Sequence, residues 1–179
     1  MSRPETLEEK RAALIIKYRK LKVDRTEREA EKIVFYLSRG DERYVMLCIL
    51  NKKTIGIAYV RELKELADGE PAKGIMIGNG KYTYSAKSNA KKMGIELIPP
   101  TLPTFDVFEH ELVPLHEILT GEERSEILKR FHAKPYQFPW IKVSDPIAII
   151  IGAKPGDVIR ITGESETAGR FESYRYVVK

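Results

Sequence analysis

A lysine-rich stretch between Glu70 and Glu96 contains the residues of this chain that are best suited to chemistry. No acidic residue interrupts it, and Gly78-Asn79-Gly80 precedes a segment in which Thr83 or Ser85 can cap a helix. Backbone N–H groups at such a helix start, together with the helix dipole, favour an anion such as a phosphate. The residues that we expect to contact phosphate groups are Lys81, Thr83, Ser85, Lys87, Lys91 and Lys92.

The charge distribution supports this expectation. Residues 1–108 carry 21 Lys and Arg against 15 Asp and Glu, whereas residues 109–179 carry 10 against 11, within a chain of net charge +5. A basic surplus of this kind attracts polyanions and suits contact with a nucleic-acid backbone without base reading. The alternative is that the lysines form only a solvated helix surface.

Other combinations of reactive residues are weaker. His110, His116 and His132 have no cysteine partner and no tetrahedral ligand spacing, so we predict no metal and no cofactor. Ser165 with Asp145 and His116 could resemble a catalytic triad, but no glycine-flanked nucleophile turn surrounds Ser165.

The elements that would position the lysines alternate between helices and strands. A T-x-x-E capping box begins a helix at Thr6, and a second such box at Thr26 predicts another helix that carries Ile33, Val34 and Leu37. Strands are predicted at 44–50, 55–59, 74–77 and 95–98, with helices at 60–67 and from Thr83 to Met93. Cys48 lies in the first of these strands, so we expect it to be buried.

The second half of the sequence predicts a smaller unit that contains both helices and strands. We predict a strand at 110–114, a helix capped by Thr120, a strand at 141–143 and a helix capped by Ser144 or Asp145. A hairpin of 158–162 and 171–178 follows. The fold class is therefore α/β (α+β), with an N-terminal domain at 1–108 and a C-terminal domain at 109–179.

Three ordered blocks in the second half carry a family resemblance. They are the S-E-T-A-G-R-F loop of 165–171 with the Y-R-Y-V-V strand of 174–178, the H-E-L-V-P-L-H segment of 110–116, and the segment from Pro135 to Gly156. Together they resemble the assembly domain that the H subunit of archaeal RNA polymerase shares with the fifth-largest subunit of the eukaryotic nuclear RNA polymerases.

The resemblance implies a non-catalytic RNA polymerase subunit whose C-terminal domain docks on the largest subunit, next to small subunits. The residues that it assigns to this interface are His116, Asp145, Pro146, Ser165, Glu166, Thr167, Ala168, Gly169, Arg170, Tyr174 and Arg175. The chain departs from the family pattern at Trp140, Ile149, Ile150 and Glu164. We interpret Trp140, Ile149 and Ile150 as surface that another protein covers, with core packing as the alternative for the two isoleucines.

The first half resembles two related kinds of domain. Thr83-Tyr84-Ser85-Ala86-Lys87 is similar to the T-P-S-A-K element of the jaw domain of the eukaryotic subunit, with Tyr84 in place of proline. This segment and the elements before it also resemble restriction-endonuclease-like domains. The jaw lies beside downstream duplex DNA, so the resemblance implies backbone contacts to that DNA that are not sequence-specific.

A nuclease of this fold needs an Asp and a [DEQ]-x-K pair on adjacent strands, because carboxylates hold Mg²⁺ and the lysine assists the attacking water. The pair should fall near Leu50-Asn51-Lys52, where Leu50 occupies the carboxylate position. We therefore expect no catalysis. Two alternatives remain: a Mg²⁺-dependent nuclease fused to a polymerase-docking module, which could recruit Glu42, and a polymerase-associated regulatory paralogue.

The sequence also predicts where the protein works. No apolar run approaches the ~20 residues of a membrane span, and the first residues lack a signal-peptide core. We expect no membrane contact, no homo-oligomer and an intracellular location with the transcription machinery. That location is cytoplasmic in an archaeon or virus and nuclear in a eukaryote.

Overall fold

The computed structural model describes residues 5–165 and 169–179. The chain divides into two compact units, Met1–Phe105 and Asp106–Lys179. Each unit has a sheet of its own, with helices packed against it. The predicted mixed α/β class is confirmed.

The first unit contains a five-stranded sheet of order β1-β2-β3-β5-β7. Its helices are α1 (Leu7–Tyr18), α2 (Ile57–Gly69) and α3 (Tyr84–Met93). The strands of the large sheet are β1 (Lys22–Arg28), β2 (Lys32–Arg39), β3 (Glu42–Ile49), β5 (Lys73–Gly78) and β7 (Glu96–Ile98), and β4 (Thr54–Ile55) pairs separately with β6 (Lys81–Tyr82).

Strands β3, β5 and β7 run parallel, so their carboxyl ends share one edge of the sheet. On one face, Leu47 and Ile49 pack with Val60 and Leu63 of α2 and with Ala86 of α3. Helix α1 packs against β3 and β5. This packing fixes α3 where it follows the carboxyl end of β5, which is how the lysine-rich segment is held in place.

The predicted helix after Thr26 is wrong. Residues 32–39 form strand β2 instead, and both of its faces are covered, since Ile33, Val34, Tyr36 and Leu37 are all buried. A run of β-branched and aromatic side chains suits a covered strand better than a single helix face. The segment before it forms the exposed edge strand β1. The strand predicted at 55–59 is also wrong, because α2 begins at Ile57.

The second unit has a four-stranded sheet of order β8-β10-β11-β9. Its strands are β8 (Leu115–Ile118), β9 (Trp140–Lys142), β10 (Val158–Ser165) and β11 (Gly169–Val178), and its helices are α4 (Gly121–Arg130) and α5 (Pro146–Ile151). Of two 3-10 helices, Val107–Glu109 precedes β8 and Pro135–Gln137 lies between α4 and β9. The central pair β10 and β11 is the predicted hairpin.

The core of this unit joins α4 to the sheet through Leu119, Ile127, Val158 and Tyr174. The predicted strand at 110–114 is wrong, because the strand begins only at Leu115. Pro114 lacks a backbone N–H and cannot donate within a sheet ladder, which accounts for a start just after it. Within the described residues, no helix has the length and apolar character of a membrane span.

Candidate nucleic-acid and protein interfaces

The predicted phosphate-binding lysines all lie on the surface. Lys81 is exposed on β6, and Lys87, Lys91 and Lys92 are exposed on α3. Within residues 5–165 and 169–179, none of the four forms an ion pair. Because a helix turns about 100° per residue, Lys87 and Lys91 share one flank and Lys92 lies on the adjoining flank. We call these four lysines the basic face.

The start of α3 adds a partial positive charge next to Lys81 and Lys87, whereas Lys91 and Lys92 lie in the last turn of the helix. Thr83 caps the helix, and its hydroxyl oxygen accepts a hydrogen bond from the Ala86 N–H at 3.1 Å. The backbone N–H of Thr83 donates to the Ile55 carbonyl at 3.0 Å. No acidic residue occupies the first turn, so nothing there neutralises the dipole. Ser85 is exposed beside the cap and is free to contact a ligand.

Two tyrosines near the cap have opposite environments. Tyr82 is 8% exposed, and its hydroxyl group donates to the Ile98 carbonyl at 2.9 Å. Burial raises the pKa of this phenol. Tyr84, the first residue of α3, is 88% exposed. Tyr82 is therefore an anchor of the fold, and Tyr84 is the aromatic side chain that a ligand could reach.

The glycines before Lys81 serve loop packing. A Cβ atom at Gly80 would lie 2.3 Å from the Lys52 carbonyl oxygen and 2.6 Å from the Lys53 carbonyl carbon. The adjacent Lys81 N–H donates to the Lys53 carbonyl at 3.0 Å. Gly80 thus allows the 51–53 loop to approach closely, which sequence spacing does not reveal.

The position predicted for a nuclease carboxylate pair has a different composition. Neither β2 nor β5 contains an acidic residue, and Leu50, just after β3, is 1% exposed. Lys52 instead pairs with Glu31 at 2.7 Å, and both side chains are partly exposed. No group of three or more His, Cys, Asp or Glu side chains in the described part of the chain could hold a metal ion.

Glu42 begins β3, whereas α3 follows the carboxyl end of β5, which runs parallel to β3. Glu42 and α3 therefore lie at opposite ends of these strands. It forms ion pairs with Lys73 and with Arg39 and accepts a hydrogen bond from the Tyr44 hydroxyl at 2.6 Å. The Lys73, Tyr44 and Arg39 contacts lower the pKa of Glu42 to about 2. Glu42 therefore belongs to a structural charge cluster.

A groove in the second unit brings together three of the residues predicted for the polymerase interface, His116, Asp145 and Arg175. Its volume is about 550 Å³. The lining residues are His116, Trp140, Ile141, Lys142, Ser144, Asp145, Ile161 and Arg175. Strand pairing explains part of this arrangement, because His116 on β8 lies opposite Ile161 on β10.

The groove has a mixed electrostatic character. His116 is 9% exposed, and its Nδ1 lies 2.8 Å from the Pro114 carbonyl, to which it donates. Burial lowers the pKa of His116, which favours the neutral ring. Asp145 caps α5 by accepting from the Ile147 N–H at 2.9 Å, and Pro146 follows as the first helical residue. Arg175 is exposed and supplies positive charge.

The remaining predicted interface residues are not gathered into this groove. Ser165 and Gly169 pair at the end of the β10–β11 hairpin, and Arg170 is exposed. Glu166, Thr167 and Ala168 lie outside the described residues. Tyr174 is 6% exposed and packs against Phe131 and Phe138, so it is a core residue of the unit.

Comparison with known proteins gives a match for each unit. Residues 105–177 match the family of the RNA polymerase Rpb5 C-terminal domain. The DNA-directed RNA polymerase subunit Rpo5 of Sulfurisphaera tokodaii is 55% identical over 73 residues, which cover 41% of this chain and 87% of that protein. The subunit of the same name from Thermococcus onnurineus is 52% identical over 75 residues, or 42% of this chain and 92% of that protein.

This chain belongs to the Rpb5 family. The sequence resemblance of the second half is thereby confirmed, and we call residues 106–179 the Rpb5 domain. Residues 6–101 match a restriction endonuclease family, so the first unit belongs to that family, and we call it the endonuclease-family domain. A solved structure of EndoMS in its apo form aligns with 20% sequence identity and a TM-score of 0.38, covering 54% of this chain and 46% of that one.

The residues at which this chain departs from the family pattern have different environments in the Rpb5 domain. Ile150 is fully buried in α5, so the interpretation of Ile150 as an interface residue is wrong and it fills the core. Ile149 is partly buried and Glu164 is exposed. Trp140 is 65% exposed at the start of β9. Phe131, which the helical pattern after Thr120 predicts to be buried, is instead 50% exposed. Tyr136 was not singled out from the sequence, although four aromatic residues within 131–140 were a visible signal.

Proposed function

We propose that this protein is a non-catalytic subunit of a multisubunit DNA-directed RNA polymerase and works wherever that enzyme transcribes. The observation that carries the proposal is the match of the Rpb5 domain to archaeal Rpo5 subunits across nearly their whole length. An archaeal cytoplasm is the location that these relatives favour. The Rpb5 domain docks on the largest polymerase subunit, next to small subunits.

The groove supports this docking role. It combines the buried neutral His116 with exposed Arg175 and with apolar Ile141 and Ile161, next to Asp145 at the start of α5. A rigid groove of mixed polarity is suited to a protein partner, whose apolar groups fill it while polar groups meet its rim. The predicted contacts of Ser165, Glu166, Thr167, Ala168, Gly169 and Arg170 belong to the same proposal.

The endonuclease-family domain contributes the contact with downstream duplex DNA. The basic face is exposed and lacks acidic partners among the described residues. Lys81 lies on β6, and the other three lysines lie on α3, whose first turn contains no acidic residue. Flexible lysines and a helix start bind phosphates without reading base edges. We therefore assign to this domain sequence-independent contacts with DNA phosphates that hold the duplex as the template enters.

Co-purification tests the assignment to polymerase. The tagged protein is isolated from its native source with washes of increasing salt, and the retained chains are identified by mass. We expect stoichiometric recovery of the large polymerase subunits after high-salt washing. Recovery only at low salt would indicate a regulatory paralogue, and failure to recover them at any salt concentration would refute the proposal.

Charge reversal tests the docking site within the same experiment. Arg175→Glu is expected to release polymerase at lower salt than the unaltered chain, because it places a negative charge in the groove. Lys154→Glu makes the same charge change on an exposed turn away from the groove residues and serves as the control. Equal retention of both variants would place the docking surface elsewhere.

The match to a restriction endonuclease family favours a second candidate, a Mg²⁺-dependent nuclease. The purified chain is incubated with duplex and branched DNA, with and without Mg²⁺. A nuclease would cleave only with the metal ion and would lose activity in Lys52→Ala. The proposed subunit leaves the DNA intact under all conditions.

A further inference from the structure

The segment from Lys129 to Lys142 has an unusual composition, and of its residues only Trp140, Ile141 and Lys142 line the groove assigned to polymerase docking. It contains four aromatic residues and four Lys or Arg residues, and it has no acidic residue. This contrasts with the rest of the Rpb5 domain, which is acidic. We call the segment the aromatic strip.

The strip exposes large aromatic surfaces in a fixed arrangement. Phe131 is 50% exposed, Tyr136 is 55% exposed and Trp140 is 65% exposed. The Trp140 indole N–H donates to the Tyr136 carbonyl at 3.1 Å, which orients the indole ring. Phe131 is held from behind by edge-on contacts with Phe138 and Tyr174, at centroid distances of 5.9 and 5.7 Å.

Positive charges alternate with these rings. Lys129, Arg130, Lys134 and Lys142 are all exposed, and within the described residues none of them forms an ion pair. The guanidinium group of Arg130 lies 5.7 Å from the Phe131 ring centre. Each aromatic ring therefore has a cation near it in sequence, at the end of α4, in the following loop or on β9.

The balance of residue types identifies the class of ligand. Protein interfaces are enriched in aromatic residues and arginine, but lysine is depleted from them. Three of the four cations here are lysines, which are normally hydrated and suited to a phosphate backbone. Exposed aromatic rings interleaved with such cations are the platform on which unpaired bases stack while phosphates meet the charges. A duplex hides its base faces and cannot use the rings.

We propose that the aromatic strip binds single-stranded nucleic acid, with bases stacked on Trp140 and Tyr136 and phosphates paired with Lys134 and Lys142. This activity is separate from the duplex contact assigned to the basic face. It does not rest on the polymerase proposal, but Trp140 and Lys142 also line the docking groove, so a docked protein and a single strand would compete for them. Stacking tolerates any base, so the binding is expected to show little sequence preference.

Trp140 is the only tryptophan of the chain, so its fluorescence reports this site directly. The full-length protein is titrated with oligothymidylate and oligouridylate of about 16 nucleotides, the upper end of a single-strand site size, and with a duplex. We expect both single strands to quench Trp140 and the duplex to leave its emission unchanged. The ratio of the two single-strand affinities shows whether DNA or RNA is preferred.

A matched pair of tyrosine variants isolates the contribution of stacking. Tyr136→Ala is expected to weaken single-strand binding about 5- to 150-fold, the range for loss of one stacked base. Tyr84→Ala removes a still more exposed ring from α3 and is expected to leave Trp140 quenching unchanged. Thermal melting checks that both variants remain folded.

Two results would overturn the inference. The first is the absence of Trp140 quenching by either single strand at low salt. The second is quenching that is the same in Tyr136→Ala as in the unaltered chain. This second result, together with release of polymerase by Trp140→Ala, would make the strip a protein-docking surface instead.

Discussion

Tyr82 and Tyr84 show how burial decides the role of a side chain. Tyr82→Phe removes the hydroxyl that bonds the Ile98 carbonyl inside the protein. We expect a loss of about 0.5–1.5 kcal/mol in the free energy of unfolding, the usual net value of one such bond. Tyr84→Phe alters a solvent-exposed hydroxyl and should change nothing. Urea denaturation of both variants checks this, and equal stabilities would contradict the anchor role.

The basic face makes a quantitative prediction for DNA binding. The double variant Lys87→Glu with Lys91→Glu removes two expected phosphate partners. The negative slope of log affinity against log salt should therefore become shallower by about 0.9 for each phosphate that is no longer neutralised. Duplex affinity should fall similarly for unrelated sequences. Anisotropy titrations at several salt concentrations measure both. The control variant, Lys154→Glu with Lys179→Glu, has the same net charge as the double variant of the basic face. Its duplex affinity and its salt slope should be nearly those of the unaltered chain.

Glu42 predicts a pH dependence of stability. Its pKa falls from 4.5 to about 2 on folding, because Lys73, Tyr44 and Arg39 stabilise the carboxylate. A depressed carboxyl pKa stabilises the fold above the unfolded value, and the stabilisation is lost as pH falls from about 4.5 to about 2. The side chain is 40% exposed, so solvent screening reduces the effect. Melting curves of Glu42→Gln should show a weaker decline across this window than those of the unaltered chain.

At the scale of elements, local capping signals predicted helices well. The capping boxes at Thr6 and Thr120 are present as predicted, and Thr83 and Asp145 cap their helices. The T-x-x-E signal failed at Thr26, because exposed strand residues can show the same pattern and a local signal carries no information about strand pairing. Strand β2 pairs with β1 and β3, and its side chains are buried on both faces of the sheet, so these tertiary contacts override the local pattern.

The approach of two loops at Gly80 can be tested by adding one carbon atom. Gly80→Ala places a Cβ within 2.3 Å of backbone, so the 51–53 loop must move. We expect destabilisation of about 1–3 kcal/mol, as for other overpacked sites. Gly69→Ala meets nothing within 4 Å at the end of α2 and should be neutral or slightly stabilising. Thermal melting of the two variants gives the comparison, and equal melting temperatures would argue against close packing here.

At the scale of the whole molecule, the two compact units predict a division of labour. A fragment of residues 1–105 should keep duplex binding, and a fragment of residues 106–179 should keep polymerase binding. Each has its own sheet and core, which is the basis for expecting each to fold alone. Circular dichroism, DNA titration and co-purification of the fragments check this. If the first fragment folded but did not bind duplex DNA, the assignment of DNA contact to that unit would be wrong.

The sequence was most informative where function depends on local pattern. The lysines of the basic face and the three blocks of the Rpb5 domain could be recognised because each is contiguous in the chain. The groove could not be recognised from the sequence, because His116, Asp145 and Arg175 come together only through sheet pairing and the position of the start of α5. The burial of Ile150 and Tyr174 was likewise hidden, because apolar residues look alike whether they face a core or a partner.

The strand order of the Rpb5 domain has a consequence for its synthesis. Both edge strands, β8 and β9, pair with the β10–β11 hairpin that follows them in the chain. The amino end of the chain leaves the ribosome first, so β8 emerges before its partner β10, and β9 emerges before its partner β11. The sheet of the first unit has all its strands by Ile98 and can close earlier. During translation the nascent second unit therefore exposes Leu119 and Ile141, which the folded domain buries fully or in part. A chaperone would be of most use to it in this interval.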